Sequence, residues 1–189
     1  IVMCGVGKVH AAMCTQVLCG HFGVTHIVNT GVAGSLDAAL DIGDVLVSQD
    51  AVQHDMDVHY LDYDVGRVPG LDTTAFPADE KLMKLAFEES ERIRPGHTKL
   101  GRVATGDQFV CSEEQRAKII ADTGAGCTEM EGAAIAQVAY VNRVPFVILR
   151  AISDKADGSA ELDYPTFEKL AAANCAAVTE ALAKRLAEE

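Results

Sequence analysis

Hydrophobic residues along the chain switch repeatedly between a period near two and a period near four, and the switches divide it into strands and helices. Residues 1–4, Ile-Val-Met-Cys, are apolar throughout and predict a short strand running into Gly5-Val6-Gly7. Val9, Met13 and Val17 recur every four residues, which predicts a helix over 8–18, ended by Gly20 and Gly23. A second strand is expected over 26–29, closing on the glycine-rich run Thr30-Gly31-Val32-Ala33-Gly34-Ser35, and a third over 44–48. Residues 51–78 hold no sustained period and carry Pro69, Gly70 and Pro77. An excursion of that length inside a compact domain marks a functional loop or an interface.

Beyond it, Leu82, Leu85, Ala86 and Ile93 share one side of an amphipathic helix over 79–93, which Pro95-Gly96 terminates. A strand over 99–105 turns at Gly106-Asp107. Ser112, with Gln115 three residues later, has the capping-box spacing for a helix that ends near Asp122. A short strand over 127–130 leads into a helix over 131–141 that is apolar nearly all round and therefore predicted buried. Residues 145–152 form an apolar run broken only by Arg150. That is the pattern of a central strand covered on both faces, with Pro145 first, where no ladder donor is needed. An alanine-rich helix over 164–186 closes the chain. Strands alternating with helices define an α/β class with a mostly parallel sheet. No repeat or boundary interrupts the pattern, so residues 1–189 read as a single domain. Ile1 in place of Met, with a strand at once, predicts that an N-terminal segment precedes it.

Composition narrows the partners. Of 189 residues, 28 are Asp or Glu and 16 are Lys or Arg, a formal net charge of −12 that repels phosphate backbones and argues against nucleic acid. The lack of Trp and an aromatic content of 5% offer no stacking platform for single strands. No apolar run nears the ~20 residues that cross a bilayer, so no membrane role is expected. The six cysteines sit in apolar segments, none in a Cys-x-x-Cys or zinc-type spacing, and read as reduced thiols of a cytoplasmic protein.

In open α/β sheets ligands bind beyond the carboxyl ends of strands, and four such ends here carry unusual residues. Thr30-Gly31-Val32-Ala33-Gly34 is either an ordinary strand-to-helix turn or a place where backbone approaches a ligand; it is neither a P-loop nor a dinucleotide fingerprint. Glu129-Met130-Glu131 sets two carboxylates before the buried helix. One suffices to complement the helix dipole, and the other could accept hydrogen bonds from a vicinal diol. Strand alternation puts Arg150 on a buried face with Phe146, Ile148 and Ile152, where it needs a partner, and Asp154 stands just past the strand end. Structure and chemistry both account for an Arg there. Gly106-Asp107-Gln108-Phe109-Val110 could form an aromatic slot for a flat base, although core packing explains the same pattern. His54, Asp55, Asp57 and His59 have the composition of a metal cluster. Two histidines five apart on an aperiodic segment share no common aim, so no metal is predicted.

Taken in order along most of the chain, these pieces resemble the 5′-methylthioadenosine/S-adenosylhomocysteine nucleosidases of the nucleoside phosphorylase/nucleosidase superfamily. The matching text is Gly5-Val6-Gly7-Lys8-Val9, Asn29-Thr30-Gly31-Val32-Ala33-Gly34, Ile42-Gly43-Asp44-Val45, His54-Asp55 with Asp57-Val58, Gly106-Asp107-Gln108-Phe109, Glu129-Met130-Glu131-Gly132-Ala133 and Arg150-Ala151-Ile152-Ser153-Asp154. The resemblance implies a three-layer α/β/α sandwich with a mixed central β-sheet, usually a homodimer. It implies cofactor-free hydrolysis of the N-glycosidic bond of an adenine nucleoside, in methionine salvage. Asp154 matches the general acid that serves adenine N7, whose pKa should be raised to hold a proton near neutral pH. Ser153 supports that acid, and Arg150 lies near the attacking water. Glu131 matches the carboxylate on the ribose hydroxyls, and Met130 packs under the sugar. Phe109 matches the adenine-stacking aromatic, and Val110 reads the adenine edge through its backbone. Gly34 lines the pocket through its backbone, and Tyr164 stands by the 5′ substituent. Val58 and Pro69 match positions that reach into the partner's 5′-alkylthio pocket, which makes the 51–78 excursion an interface element.

The family's water-activating glutamate belongs to an N-terminal stretch ahead of Ile1, and no residue of this sequence takes that role. Val32 stands where the family often has Ser, and Ser35 where it has Gly. A nucleoside phosphorylase is the nearest rival. Phosphate needs several donors or cations, yet Asn29 precedes Thr30 and the first loop offers only Lys8. A non-catalytic nucleoside-binding protein on the same fold is a second alternative. A relative acting on an aminodeoxyfutalosine-type nucleoside is a third.

Overall fold

The computed structural model describes residues 1–188. In chain order its elements are α1 (Lys8–Gly20), β1 (Ile27–Ser35), β2 (Val45–Gln53), a 3₁₀ turn (His59–Leu61), β3 (Phe76–Pro77), α2 (Glu80–Ile93), β4 (Thr98–Thr105), α3 (Glu113–Thr123), β5 (Cys127–Glu129), α4 (Gly132–Asn142), β6 (Phe146–Asp154) and α5 (Ala160–Ala187). Among the described residues the strands form one sheet in the order β3-β2-β4-β5-β1-β6. β2 with β4, β4 with β5 and β1 with β6 run parallel, whereas β1 with β5 and β2 with β3 are antiparallel. β2 also pairs antiparallel with β6 over Val45–Val47, so the sheet rolls onto itself and is mixed, not mostly parallel as the strand–helix alternation suggested. Where β2 leaves β6, the Ser48 hydroxyl accepts the Ile148 N–H at 2.9 Å and satisfies a buried backbone donor.

Both faces of β6 are covered. Phe146, Ile148 and Ile152 pack with Ala11 of α1 and with Ala133, Ala136 and Ala139 of α4. Val147, Leu149 and Ala151 pack with Leu82, Leu85 and Ala86 of α2 and with Ala171, Cys175 and Leu182 of α5. Helices on both sides of the mixed sheet make the three-layer α/β/α arrangement. Among the described residues no helix is long and apolar enough to cross a membrane.

Local structure departs from the sequence pattern at four places. Residues 1–4 form no strand; Ile1, Val2 and Met3 are exposed, with no strand pairing among the described residues. α1 forms where its spacing predicts, but Val9, Met13 and Val17 are 68%, 62% and 52% exposed, and Ala11 and Thr15 are the buried positions, with α1 packed on α4. The glycine-rich run lies inside β1, not at its end, for a steric reason. A Cβ on Gly31 would stand 1.8 Å from Arg150 Nη1, and one on Gly34 would stand 2.7 Å from Asp154 Oδ1. These positions are bare because neighbouring β6 sends charged side chains across them. Lastly, α5 starts at Ala160, ahead of the expected Tyr164, and takes Pro165 inside it. Asp157 and Ser159 hold that start: Ser159 Oγ lies 2.7 Å from both Asp157 Oδ1 and Asp163 Oδ2.

Candidate active site

β5 has three residues, and its last side chain organises the site. The buried Glu129 carboxylate accepts the N–H groups of Glu131 at 3.0 Å and Gly132 at 2.7 Å, the Thr105 hydroxyl, and the Arg150 guanidinium. Thr105 Oγ1 in turn accepts the Ala133 N–H at 2.7 Å. The first donors of α4 are thus capped by Glu129 and Thr105, while Glu131, at the N-cap position, makes no capping bond with its side chain. The two carboxylates divide the work: Glu129 caps the helix and neutralises Arg150, and Glu131 turns to the cavity. A capping acid three residues before Gly132 is a signal that the sequence carried for Glu129, although the pattern did not distinguish it from Glu131.

A cavity of about 260 Å³ opens at the carboxyl ends of β1, β5 and β6. Gly34, Phe109, Val110, Met130, Glu131, Ser153, Asp154 and Tyr164 all line it. So do Val6, Val32, Ala33, Gln108 and Glu129, which lie in the quoted motifs without a site role assigned by the resemblance, and Thr128, which lies in none of them. Arg150, Val58 and Pro69 do not line it. Arg150 is 3% exposed and is held by Glu129 and, at 2.8 Å, by Asn29 Oδ1; it comes within 3.8 Å of Glu131 Oε2. Val58 is half-buried before the 3₁₀ turn, and Pro69 is exposed. Phe109, 46% exposed, meets the Tyr164 ring edge-on with centroids 5.8 Å apart.

Asp154 ends β6 and is buried. Its Oδ1 accepts the Ala156 N–H at 2.8 Å and its Oδ2 accepts the Ser153 hydroxyl at 2.8 Å. Ala156 has φ +52°, a left-handed conformation that a residue with a Cβ adopts only where its surroundings hold it, and here it turns its N–H onto Asp154. Burial pushes the Asp154 carboxyl above its ordinary value; the charges of Asp163 and Asp157 add to this, and the two hydrogen bonds oppose it. Glu131 Oε1 accepts the Gly7 N–H at 2.8 Å. Burial raises its pKa as well, with Glu129 adding and the Gly7 bond and Arg150 opposing. Two carboxyl groups whose pKa burial raises, Asp154 and Glu131, therefore share one cavity. The 54–59 cluster is split among other pairings: Asp55 takes Lys8 Nζ at 2.6 Å, and Asp57 takes the His59 ring at 2.5 Å.

The family model described as Phosphorylase superfamily matches residues 1–184. A 5′-methylthioadenosine/S-adenosylhomocysteine nucleosidase of Treponema pallidum (strain Nichols) is 43% identical over 205 residues, covering 96% of this chain and 76% of that one. The crystal structure of the nucleosidase of that name from Neisseria meningitidis, in complex with methylthio-immucillin-A, superposes with a TM-score of 0.94 at 36% identity, over 97% of this chain and 79% of that one. The native structure of futalosine hydrolase of Helicobacter pylori strain 26695 superposes with a TM-score of 0.91 at 35% identity, over 96% of this chain and 77% of that one. The chain belongs to the phosphorylase superfamily and, within it, to the 5′-methylthioadenosine/S-adenosylhomocysteine nucleosidase family.

Proposed function

We propose that this protein hydrolyses the N-glycosidic bond of 5′-methylthioadenosine and S-adenosylhomocysteine, releasing adenine and the 5-thio-ribose. The observation that carries the reading is the pairing of Asp154 and Glu131 on one cavity. Breaking the bond leaves electrons on adenine and positive charge on the sugar; water adds to that carbon and gives up a proton, which no residue among 1–189 is assigned to take. Asp154, with its raised pKa, supplies the proton to adenine N7, and Ser153 holds its second oxygen. Glu131 accepts the 2′ and 3′ hydroxyls and sets negative charge beside the oxocarbenium-like sugar. Met130 packs under the ribose, Phe109 stacks on the base, and Tyr164 stands by the 5′ substituent. Val110 and Gly34 contact the ligand by backbone. Arg150 acts on the water side of the sugar through the Glu129 and Glu131 carboxylates.

Water is favoured over phosphate as nucleophile because the nearby cations are committed. Lys8 Nζ donates to Asp55 at 2.6 Å and to Gln53 at 3.1 Å, and Arg150 is engaged by Glu129 and Asn29. A homodimer belongs to the same reading. The exposed row Val9, Met13 and Val17 on α1 continues toward exposed Val141 of α4, where adjacent Asn142 donates to Gln16 at 2.9 Å. Exposed apolar side chains on two packed helices suit a second copy. The 51–78 excursion, with exposed Tyr60 and Leu61, would carry Val58 and Pro69 to the partner's 5′ pocket. Six free thiols support a reducing, cytoplasmic setting. A futalosine-type nucleoside is the second reading, favoured by the similarity to the futalosine hydrolase structure.

Adenine release from methylthioadenosine, measured with and without phosphate, tests the reading. Equal release in both is expected. Release that requires phosphate would make the protein a phosphorylase. Release only from an aminodeoxyfutalosine-type nucleoside would favour the second reading, and release from neither would overturn both.

A further inference from the structure

The loop that delivers Gly7 to Glu131 has no strand partner among the described residues, yet it is held at both ends of one lysine. The Lys8 backbone N–H donates to Asp107 Oδ1 at 2.8 Å, and Lys8 Nζ donates to Asp55 Oδ1 at 2.6 Å. Asp55 closes the ring, its Oδ2 accepting the Asp107 N–H at 3.0 Å. Gly7, adjacent to Lys8, has φ +89°, and a Cβ there would stand 3.0 Å from Asp107 Oδ1, so the loop lies directly on Asp107. Its N–H meets Glu131 Oε1 at 2.8 Å. Asp55 follows β2 and Asp107 follows β4, two strands paired along their length, and their bonds tie the loop to that pair, alongside the Lys8 Nζ bond to Gln53 Oε1 at 3.1 Å and the packing of α1 on α4. Asp55 itself does not line the cavity.

Resting on the nucleosidase reading, we propose that Asp55 is a positioning residue: through Lys8 and Asp107 it holds Gly7 where its N–H orients the Glu131 carboxylate toward the ribose hydroxyls. The position requires a carboxylate because both oxygens accept from donors. An amide in its place turns its own N–H₂ against one of them. With one oxygen fixed by Gly7, Glu131 presents the other in a set direction, which is the gain from preorganising a binding group.

The test measures kcat and KM for methylthioadenosine and its 2′-deoxy analogue, together with the Kd of adenine alone, in wild type, Asp55→Asn, Lys8→Gln, Glu131→Gln and the Asp55→Asn/Glu131→Gln double variant. In Asp55→Asn and in Lys8→Gln the kcat/KM preference for the riboside is expected to fall about tenfold, the scale of one charge-assisted hydrogen bond, with adenine affinity unchanged. The double variant is expected to show no further loss of preference beyond Glu131→Gln. Equal losses on riboside and deoxyriboside, or weakened adenine binding, would leave Asp55 a structural role only and overturn the proposal. A preference lost in Glu131→Gln but kept in Asp55→Asn would overturn it while sparing the function. A wild type that hydrolyses both nucleosides without preference would remove the ribose role of Glu131 and the proposal with it.

Discussion

At the level of the residue, Asp154 sets activity against stability. As the donor to the leaving base, its replacement in Asp154→Asn is expected to lower kcat by about 10²–10⁴-fold while leaving nucleoside affinity nearly intact. Steady-state rates beside calorimetric titration check this, and equal loss of both would remove the acid role. The same residue weakens the fold at neutral pH. Its folded pKa lies above the ordinary aspartate value of 3.8, so the folded state holds the proton more tightly than the unfolded chain. The stability this contributes is fully present below that value and is lost as pH rises through the raised one. Asp154→Asn is therefore expected to melt higher than wild type at about pH 7, with the gain fading below about pH 4. Thermal scans at the two pH values decide it, and a gain that grows in acid would contradict the sign.

Among the elements, the head of α4 concentrates the largest single risk. Glu129 caps the helix, takes the Thr105 hydroxyl and neutralises a buried arginine. Glu129→Gln leaves Arg150 without its charge partner and is expected to cost about 3–5 kcal/mol, read from urea denaturation. A cost under about 1 kcal/mol would show that Asn29 and Glu131 suffice for Arg150. The cap of α3 was legible in the sequence: Ser112 accepts the Gln115 N–H at 3.3 Å, because capping depends on neighbours in the chain, and Asp79 caps α2 in the same way, accepting the Leu82 N–H at 2.9 Å. The outward face of α1 was not legible. Its four-residue spacing reports a helix but not the direction in which the stripe points, and the small Ala11 and Thr15 face inward where α1 packs on α4. The glycines of β1 read as either a turn or a backbone approach to a ligand, and their steric reason was hidden because the side chains that exclude a Cβ come from Arg150 and Asp154, more than a hundred residues away in the chain.

For the whole molecule, the exposed α1 row makes self-association the property to measure, against the repulsion of a net charge of −12 on each copy. Met13→Glu puts charge in the middle of that row. It is expected to shift the protein to monomer in sedimentation equilibrium, while the fold of each subunit changes by no more than about 0.5 kcal/mol, as for ordinary surface substitutions. A wild type that sediments as a monomer at every concentration would refute the dimer. The rolled sheet belongs to this scale too. The β2–β6 pairing joins strands about a hundred residues apart and rolls the sheet, while the pairings of β1 with β6 and β5 gather the ends of those three strands around one cavity.

The sequence by itself determined the presence of the helices, the central apolar strand and the Ser112 cap, and it named the candidate residues that line the cavity apart from Thr128. Each of these rests on local spacing or on the chemical identity of a side chain. Only the tertiary structure decided which of the two cavity carboxylates caps α4 and which is left free of the cap, since Glu129 and Glu131 differ in their long-range partners, Arg150 and Gly7. It also decided strand direction, the face of α1 and the ring of Asp55, Lys8 and Asp107. Those features depend on contacts between distant segments, and spacing along the chain carries no record of which segment will arrive.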